Sequence, residues 1–388
     1  MGMEEWKEYK LGDVCQRLKS GKSIKADQIL RQGKYPVIGG NGLRGYTNEP
    51  NFIGEAAIIG RQGAYCGNVR YFKGAGYMTE HAIVLVGNKL TNTKYLSCKL
   101  SLMQLGHLSA QSAQPGLSVQ LLSKLPIILP SIEKQNIIAN IIQTLDNKIE
   151  LNRRINENLE QQAQALFKSW FVDFEPFKDG KFVDSELGMI PEGWKVYELG
   201  NLCDSISMTH PCKKGELIFL NTGDIENGSV LTNKYMNIKD MPGQAKKSIK
   251  ENDILYSEIR PINRHYAFVN FPAHEYIVST KLMVIRAIDK KLAIRLYQYL
   301  TSDDVINELQ HEAESRSGTF PQIRFENIKK IKILIGPNDI ENQYTEFIEN
   351  IYKMIFQYRE EVIKLEHLRD TLLPKLMSGE LKINNFNN

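Results

Sequence analysis

Apolar positions along this chain of 388 residues follow two different rhythms. The first is a heptad. Ile138, Leu145, Asn152, Leu159 and Leu166 recur every seven positions, and Ile142, Ile149, Asn156 and Ala163 interleave at alternating steps of three and four. That spacing predicts a helix with a coiled-coil seam. Asn152 and Asn156 stand mid-seam, where buried polar groups fix register at a cost in stability. Pro130 precedes the helix, and Ser131 is placed to cap it. A second heptad helix begins near Asp339. Tyr344, Ile351, Tyr358, Leu365 and Leu372 form one row, and Ile348, Ile355, Val362 and Leu376 form most of another. Pro374 should kink or end it. Each helix is about 55 Å long at 1.5 Å per residue. Two matched helices of that length are expected to pair antiparallel through these rows.

The second rhythm is short. In about 1–130 the runs Tyr35 to Ile38, Ala56 to Ile59, Val69 to Phe72 and Ala82 to Val86 read as strands. Glycines punctuate them, as at Gly39-Gly40-Asn41-Gly42 and Gly60-x-x-Gly63, and helices are expected near 11–19 and 92–105. In about 190–337 the texture returns with Ile218 to Leu220, Asp253 to Ser257, Tyr266 to Val269 and Leu282 to Ile285.

The return is literal in places. Trp6-Lys7-x-Tyr9-x-Leu11-Gly12-x-Val14-Cys15 recurs as Trp194-Lys195-x-Tyr197-x-Leu199-Gly200-x-Leu202-Cys203, a shift of 188 residues. Each stretch closes on an apolar run, a proline and a heptad helix, at Pro130 and Pro337. Those prolines are 207 apart, so the second globule carries roughly 19 extra residues. The expected plan is α+β, with two similar α/β globules separated by long helices. Its segments are 1–130, a helix over 131–172, a connector over 173–189, the second globule over 190–337, a helix over 338–380, and a tail over 381–388. The connector mixes aromatic anchors with turn residues and should pack. Antiparallel helices would place one globule at each end of a rod, like two readers on something long.

Charge sharpens this picture. The net charge is only +4, but residues 1–130 hold 16 Lys and Arg against 8 Asp and Glu. A globule that basic suits a polyanion. Residues 173–337 balance at 22 basic and 23 acidic, with local clusters at Lys246-Lys247-x-x-Lys250 and from Arg260 to His265. No apolar span approaches the roughly 20 residues a membrane helix needs. The acidic start of the chain lacks the apolar core of a signal peptide. The five cysteines are scattered with no Cys-x-x-Cys, which fits thiols packed in a reduced cytoplasmic setting.

Catalytic motifs are wanting. Ser20-Gly21-Lys22-Ser23 resembles the tail of a phosphate-binding loop, but Gln16 stands where that motif needs its first glycine. No histidine pair has helical zinc spacing, and no G-x-S-x-G elbow occurs. His265, in its basic stretch, is the one histidine to watch. The chain is expected to catalyse nothing and to hold no metal.

Three tracts carry a resemblance. Leu166-Phe167-Lys168-Ser169-Trp170-Phe171-Val172-Asp173-Phe174-Glu175-Pro176-Phe177 follows the first helix. Leu187-Gly188-x-Ile190-Pro191-Glu192-Gly193-Trp194 leads into the second globule. Leu372-Leu373-Pro374-Lys375-Leu376-Met377-Ser378-Gly379-Glu380-Leu381 closes the second helix. Together with the tandem plan they resemble the specificity subunit of type I restriction–modification systems. Ile335-Gly336-Pro337-Asn338-Asp339 departs from the consecutive prolines usual in that family.

The resemblance implies two target-recognition domains, each binding half of an interrupted double-stranded DNA sequence. It implies helices that set the gap and dock two methyltransferase subunits, with two restriction subunits joining in some systems. AdoMet, ATP and Mg²⁺ would then belong to partner chains, with none in this one. Base reading needs forked polar side chains on turns. In the first globule Asn41, Arg44, Arg61 and Gln62 are the candidates, with Gln111 and Gln114 behind them. In the second they are Arg260, Asn263 and Arg264, then Lys281 and Gln322, while Lys246, Lys247 and Lys250 suit phosphate contact. Two rival readings differ in class: a coiled-coil adaptor that binds no DNA, and a complete restriction–methylation enzyme, for which the length leaves too little room.

Overall fold

The computed structural model describes residues 6–109, 116–211, 215–316 and 319–381. Contacts divide the chain into two compact units, Met1–Leu151 with Ile363–Asn388, and Asn152–Val362. Each unit holds one globule and a stretch of both long helices.

The first unit runs β1 (Lys7–Lys10), β2 (Cys15–Ser20), β3 (Tyr35–Gly39), β4 (Gly42–Thr47), β5 (Phe52–Gly60), β6 (Val69–Met78) and β7 (Ala82–Gly87). Then come α1 (Thr93–Leu102), α2 (Val119–Ser123), β8 (Pro126–Leu129) and the start of α3 (Ile132–Phe171). Six strands make one sheet in the order β2-β7-β5-β6-β3-β4, and β1 pairs with β8 apart from it. The central strands are buried on both faces, so they read as apolar runs. Ala57, Ile59, Ile83 and Leu85 pack on Tyr95, Leu96 and Leu100 of α1. The alternate residues Ala56, Ile58 and Val84 form a second, smaller core with Phe52 and Met78.

The expected helix over 11–19 is not formed. Leu11–Val14 is a single 3₁₀ turn, and the chain then joins the sheet as β2. Leu11, Val14 and Leu18 stand at helical spacing, but pairing with β7 satisfies the backbone instead. The start of α3 is fixed by Gln135. Its buried amide donates to the carbonyls of Leu90 (3.1 Å) and Pro130 (3.0 Å) and accepts from the Asn92 N–H (3.1 Å). Asn92 in turn caps α1. The buried face of α3 here, Ile138, Ala139 and Ile142, shares a core with Leu372, Leu373, Leu376 and Met377.

In the second unit α3 continues to Phe171, and the connector forms a hairpin, β9 (Phe182–Ser185) with β10 (Gly188–Pro191). The expected packing is present: Trp194 sits edge-on to Phe171, Phe174 and Phe177. Next come β11 (Lys195–Glu198), β12 (Cys203–Ser205), β13 (Glu216–Leu220), β14 (Ile225–Glu226), β15 (Ser229–Val230), β16 (Tyr235–Asn237), β17 (Ala245–Ser248), β18 (Ile254–Ser257) and β19 (Tyr266–Phe268). Then follow β20 (Tyr276–Ser279), β21 (Leu282–Ala287), α4 (Ala293–Leu300), α5 (Asp303–Arg316), α6 (Phe325–Ile328), β22 (Lys332–Ile335) and α7 (Asn338–Ser378). Two four-stranded sheets result, β12-β21-β18-β19 and β16-β13-β20-β17, while β11 pairs with β22.

The helices pair antiparallel within each unit. In the first, Asp146 meets Arg369 at 3.3 Å. In the second, Asn152 donates to Glu361 (2.9 Å), Arg359 pairs with Glu160 (2.6 Å), and the rings of Phe171 and Tyr344 lie 4.6 Å apart. Of the seam positions, Ile138, Ile142, Ile149, Asn152, Asn156, Leu159 and Tyr344 are buried. Leu145, Leu166, Ile351, Tyr358, Leu365 and Leu372 are half-buried. On α7 Ile348, Tyr352 and Ile355 are buried as well, because that stretch also faces Phe268 and Tyr297 of the globule. A helix with two neighbours buries a wider stripe than a two-helix seam. It passes through exposed Pro374 and ends four residues later.

Candidate nucleic-acid interface

In the first unit four turns converge at one end of the six-stranded sheet. They follow from where its strands stop: β2 at Ser20, β3 at Gly39, β5 at Gly60 and β6 at Met78, with β7 starting at Ala82. Backbone hydrogen bonds stitch the turns together. Gly21 donates to Ala82 (2.9 Å), Lys22 to Met78 (2.9 Å), Arg61 to His81 (2.9 Å) and Leu117 to Arg61 (2.8 Å), while Gln62 bridges to Gly116. The spacing leaves no room for side chains between the turns. A Cβ on Gly60 would lie 2.4 Å from the Tyr65 carbonyl oxygen and 2.7 Å from that of Gly40.

This arrangement brings four of the sequence candidates together. Asn41 is exposed at the tip of the two-residue β3–β4 hairpin, whose Gly42 has φ +98°. Arg44 runs across Gly39, Arg61 is half-buried, and Gln62 is exposed beside it. Gln111 and Gln114 lie outside the described residues. Three further groups belong here: Lys22, Arg70, whose guanidinium covers Gly42, and His81, whose ring meets Glu80 at 3.3 Å. Lys22 was visible in the loop-like Ser20-Gly21-Lys22-Ser23. Arg70 is brought in by the β5–β6 register, which no local motif announces.

The second unit repeats the same stitching. β18 ends at Ser257 opposite Leu282. Glu258 donates to the Lys281 carbonyl (3.0 Å), Ile323 donates to Glu258 (2.8 Å), and Ile259 bridges to Gln322. Lys281 and Gln322 therefore meet at this junction. Arg260 follows it, exposed, with φ +44° and its guanidinium 3.4 Å from the Thr319 carbonyl. Such a conformation is sparsely populated for a non-glycine residue. Asn263 is exposed on the next turn. Arg264, also left-handed at φ +56°, is drawn to Asp303 at 2.6 Å, which raises its pKa and occupies its fork.

The lysine cluster separates. Lys246 and Lys250 are exposed. Lys247 corrects the expectation of a phosphate contact: its ammonium turns inward and donates to the carbonyls of Thr280 (3.2 Å) and Leu282 (2.8 Å). Burial holds its pKa below the usual lysine value. His265 is likewise structural, its Nδ1 2.7 Å from the Ile225 carbonyl.

Among the described residues no group of three or more His, Cys, Asp or Glu could hold a metal ion. Burial pushes the Cys15 and Cys203 thiols up to about 12, which suits packing rather than nucleophilic attack. Among the described residues no helix is long and apolar enough to cross a membrane.

A family model described as a type I restriction modification DNA specificity domain matches residues 3–161 and again 191–366. The chain is 41% identical over 157 residues to the HindI specificity subunit of Haemophilus influenzae, covering 40% of this chain and 34% of that one. It is 41% identical over 175 residues to the EcoprrI specificity subunit of Escherichia coli, covering 43% of each. The chain thus spans less than half the length of these two relatives. A crystal structure of a type I restriction–modification S subunit from M. genitalium shares the fold, with a TM-score of 0.67 and 16% identity over 97% of both chains.

Proposed function

The chain belongs to the family of type I restriction–modification DNA specificity domains, of which it carries two copies, and from that premise we propose that it reads a bipartite DNA sequence for a restriction–modification complex. Each globule takes one half of the target through its stitched turns, and α3 with α7 sets the gap. The observation that carries this is the first unit's turn cluster. Asn41, Arg44, Arg61 and Gln62 gather there with Lys22, Arg70 and His81 on a basic globule. Cations position the phosphate backbone, and forked Arg, Asn and Gln side chains read base edges.

The chain itself supplies no catalytic step in this account. Methyltransferase subunits, two per chain, would dock on the helical frame and bring AdoMet. Restriction subunits, where the system has them, would bring ATP and Mg²⁺ chemistry. A cytoplasmic location follows from work on genomic DNA. The segments 1–130 and 190–337 act as the two readers, and 131–172 and 338–380 as the spacer helices.

Mapping methylated bases in genomic DNA, with this gene present and then deleted, tests the proposal. The expected result is one interrupted sequence, methylated in both halves, that vanishes on deletion. An unchanged methylation map contradicts it and favours the coiled-coil adaptor.

A further inference from the structure

The two globules can be aligned without their side chains. In the first, the residue after the β5 terminus donates its N–H to the residue before β7, accepts from an N–H upstream of α2, and is followed by a residue bridged to that same upstream stretch. These residues are Arg61, His81, Leu117, Gln62 and Gly116. In the second, the residue after the β18 terminus makes the same three links in the same order. Those residues are Glu258, Lys281, Ile323, Ile259 and Gln322. The strand registers agree, since Gly60 faces Ala82 and Ser257 faces Leu282. Arg61 and Glu258 therefore hold one and the same backbone position in the two copies, and the position has opposite chemistry. An arginine fork donates only; a carboxylate accepts only.

Glu258 is not consumed by the fold. Its side chain is half-buried, and among the described residues no hydrogen bond engages its carboxylate. Its charge acts on Lys247, whose three-donor ammonium is already directed at the carbonyls of Thr280 and Leu282. Exposed Lys281 and half-buried Gln322 stand at the same junction. An acceptor framed by a cation and an amide suits a base edge that offers an amino group, with a phosphate held nearby.

We propose that Arg61 and Glu258 are matched specificity determinants, Arg61 selecting a guanine in the first half-site and Glu258 selecting an amino-bearing pyrimidine, cytosine through its N4, at the corresponding place in the second. The inference rests on the DNA-reading function proposed above and goes beyond it by naming which base chemistry each copy takes. The physical ground is the major-groove pattern: guanine shows the two acceptors O6 and N7, and cytosine shows the N4 donor. It predicts that the halves of the target differ in composition at that place although the folds agree.

The test is selection of bound duplexes from a randomised pool by the full chain assembled with its methyltransferase subunits. The wild type is compared with Glu258→Arg, Glu258→Gln and Arg61→Ala. Glu258→Arg should replace cytosine by guanine at one position of the second half-site and leave the first half-site intact. Glu258→Gln, close to isosteric, should relax that position by at least about 5-fold. Arg61→Ala should relax a guanine in the first half-site by roughly 5- to 150-fold. The assignment is overturned if Glu258→Gln weakens or spares all sequences alike, as a carboxylate that only balances Lys247 would. It is also overturned if the relaxed position is not a cytosine. A wild-type assembly that selects no interrupted sequence at all removes the underlying function as well, which tells the two failures apart.

Discussion

The two globules agree where they meet the helices and diverge where their turns gather. β1 with β8 and β11 with β22 pair in matching registers, and the 3₁₀ turns at Leu11 and Leu199 anchor to Leu125 and Ile331 in the same way. β2-β7-β5-β6 is repeated as β12-β21-β18-β19. Beyond that the copies part. β6 is one strand of ten residues, Val69–Met78, which pairs with β5 along its first part and with β3 at its end. In the second copy that path is broken between β19 and β20, and β20 pairs with β13 in a separate sheet. The additional strand β17, which carries Lys246 and Lys247, pairs with β20. Under the proposed function, a fixed frame and a replaceable rim would let recognition change without disturbing the helices.

The comparison yields graded predictions. The largest effect belongs to the aromatic seal of the second unit. Phe171 lies against Trp194, Tyr344 and the buried Arg295, whose guanidinium carbon is 3.6 Å from its ring. Phe171→Ala should lower unfolding free energy by about 3–5 kcal/mol in denaturant titration of the full chain. The first unit's Met377→Ala should cost less, near 2 kcal/mol. Equal losses would dissolve the contrast between the two cores. Next comes the turn cluster. Gly60→Ala should cost about 1–3 kcal/mol and abolish selection of the first half-site only. Ser257 holds the matching place and gives up only its hydroxyl bonds with the Ile259 backbone. Ser257→Ala should cost about 1 kcal/mol.

The lysines sharpen the point further. Lys247→Met should destabilise by about 1–3 kcal/mol, because two carbonyls lose their donor, and should leave the salt slope of DNA binding unchanged. Lys246→Ala should do the reverse, sparing stability and reducing the slope by about 0.9 if it meets one phosphate. Asn152→Leu should give a small effect on stability alone. Stability should change by no more than about 1 kcal/mol, since the replaced bond to Glu361 is exchanged for apolar contact.

How much was legible beforehand depends on the range of the interaction. The heptads announced α3 and α7 because their partners recur at fixed spacing. The longer or more apolar strands β3, β5, β6, β7, β13, β18, β19 and β21 are readable as short apolar runs, whereas the remaining, mostly short strands are not. The failures were non-local. β2 has the local spacing of a helix, and its identity as a strand comes from pairing with β7, over sixty residues away. Arg70 was missed because only the β5–β6 register delivers it to the turns. Lys247 looks like its neighbours in sequence, yet the β17–β20 register shifts between Ala245 and Lys247, leaving Lys246 unpaired and exposed while Lys247 pairs with Val278 and turns inward. Glu258 stands two residues before Arg260, and a lone carboxylate on a turn carries no local mark that separates it from an ordinary solvated acid.

The central claim, that each copy reads its own half of one target, is tested most directly by single changes in each rim. Arg61→Ala and Arg260→Ala should be assembled separately with the methyltransferase subunits and their selected duplexes sequenced. The account predicts that the first change relaxes letters in one half-site, the second relaxes letters in the other, and the gap stays constant in both. Relaxation of the same half-site by both variants, or loss spread evenly over every position, would contradict it.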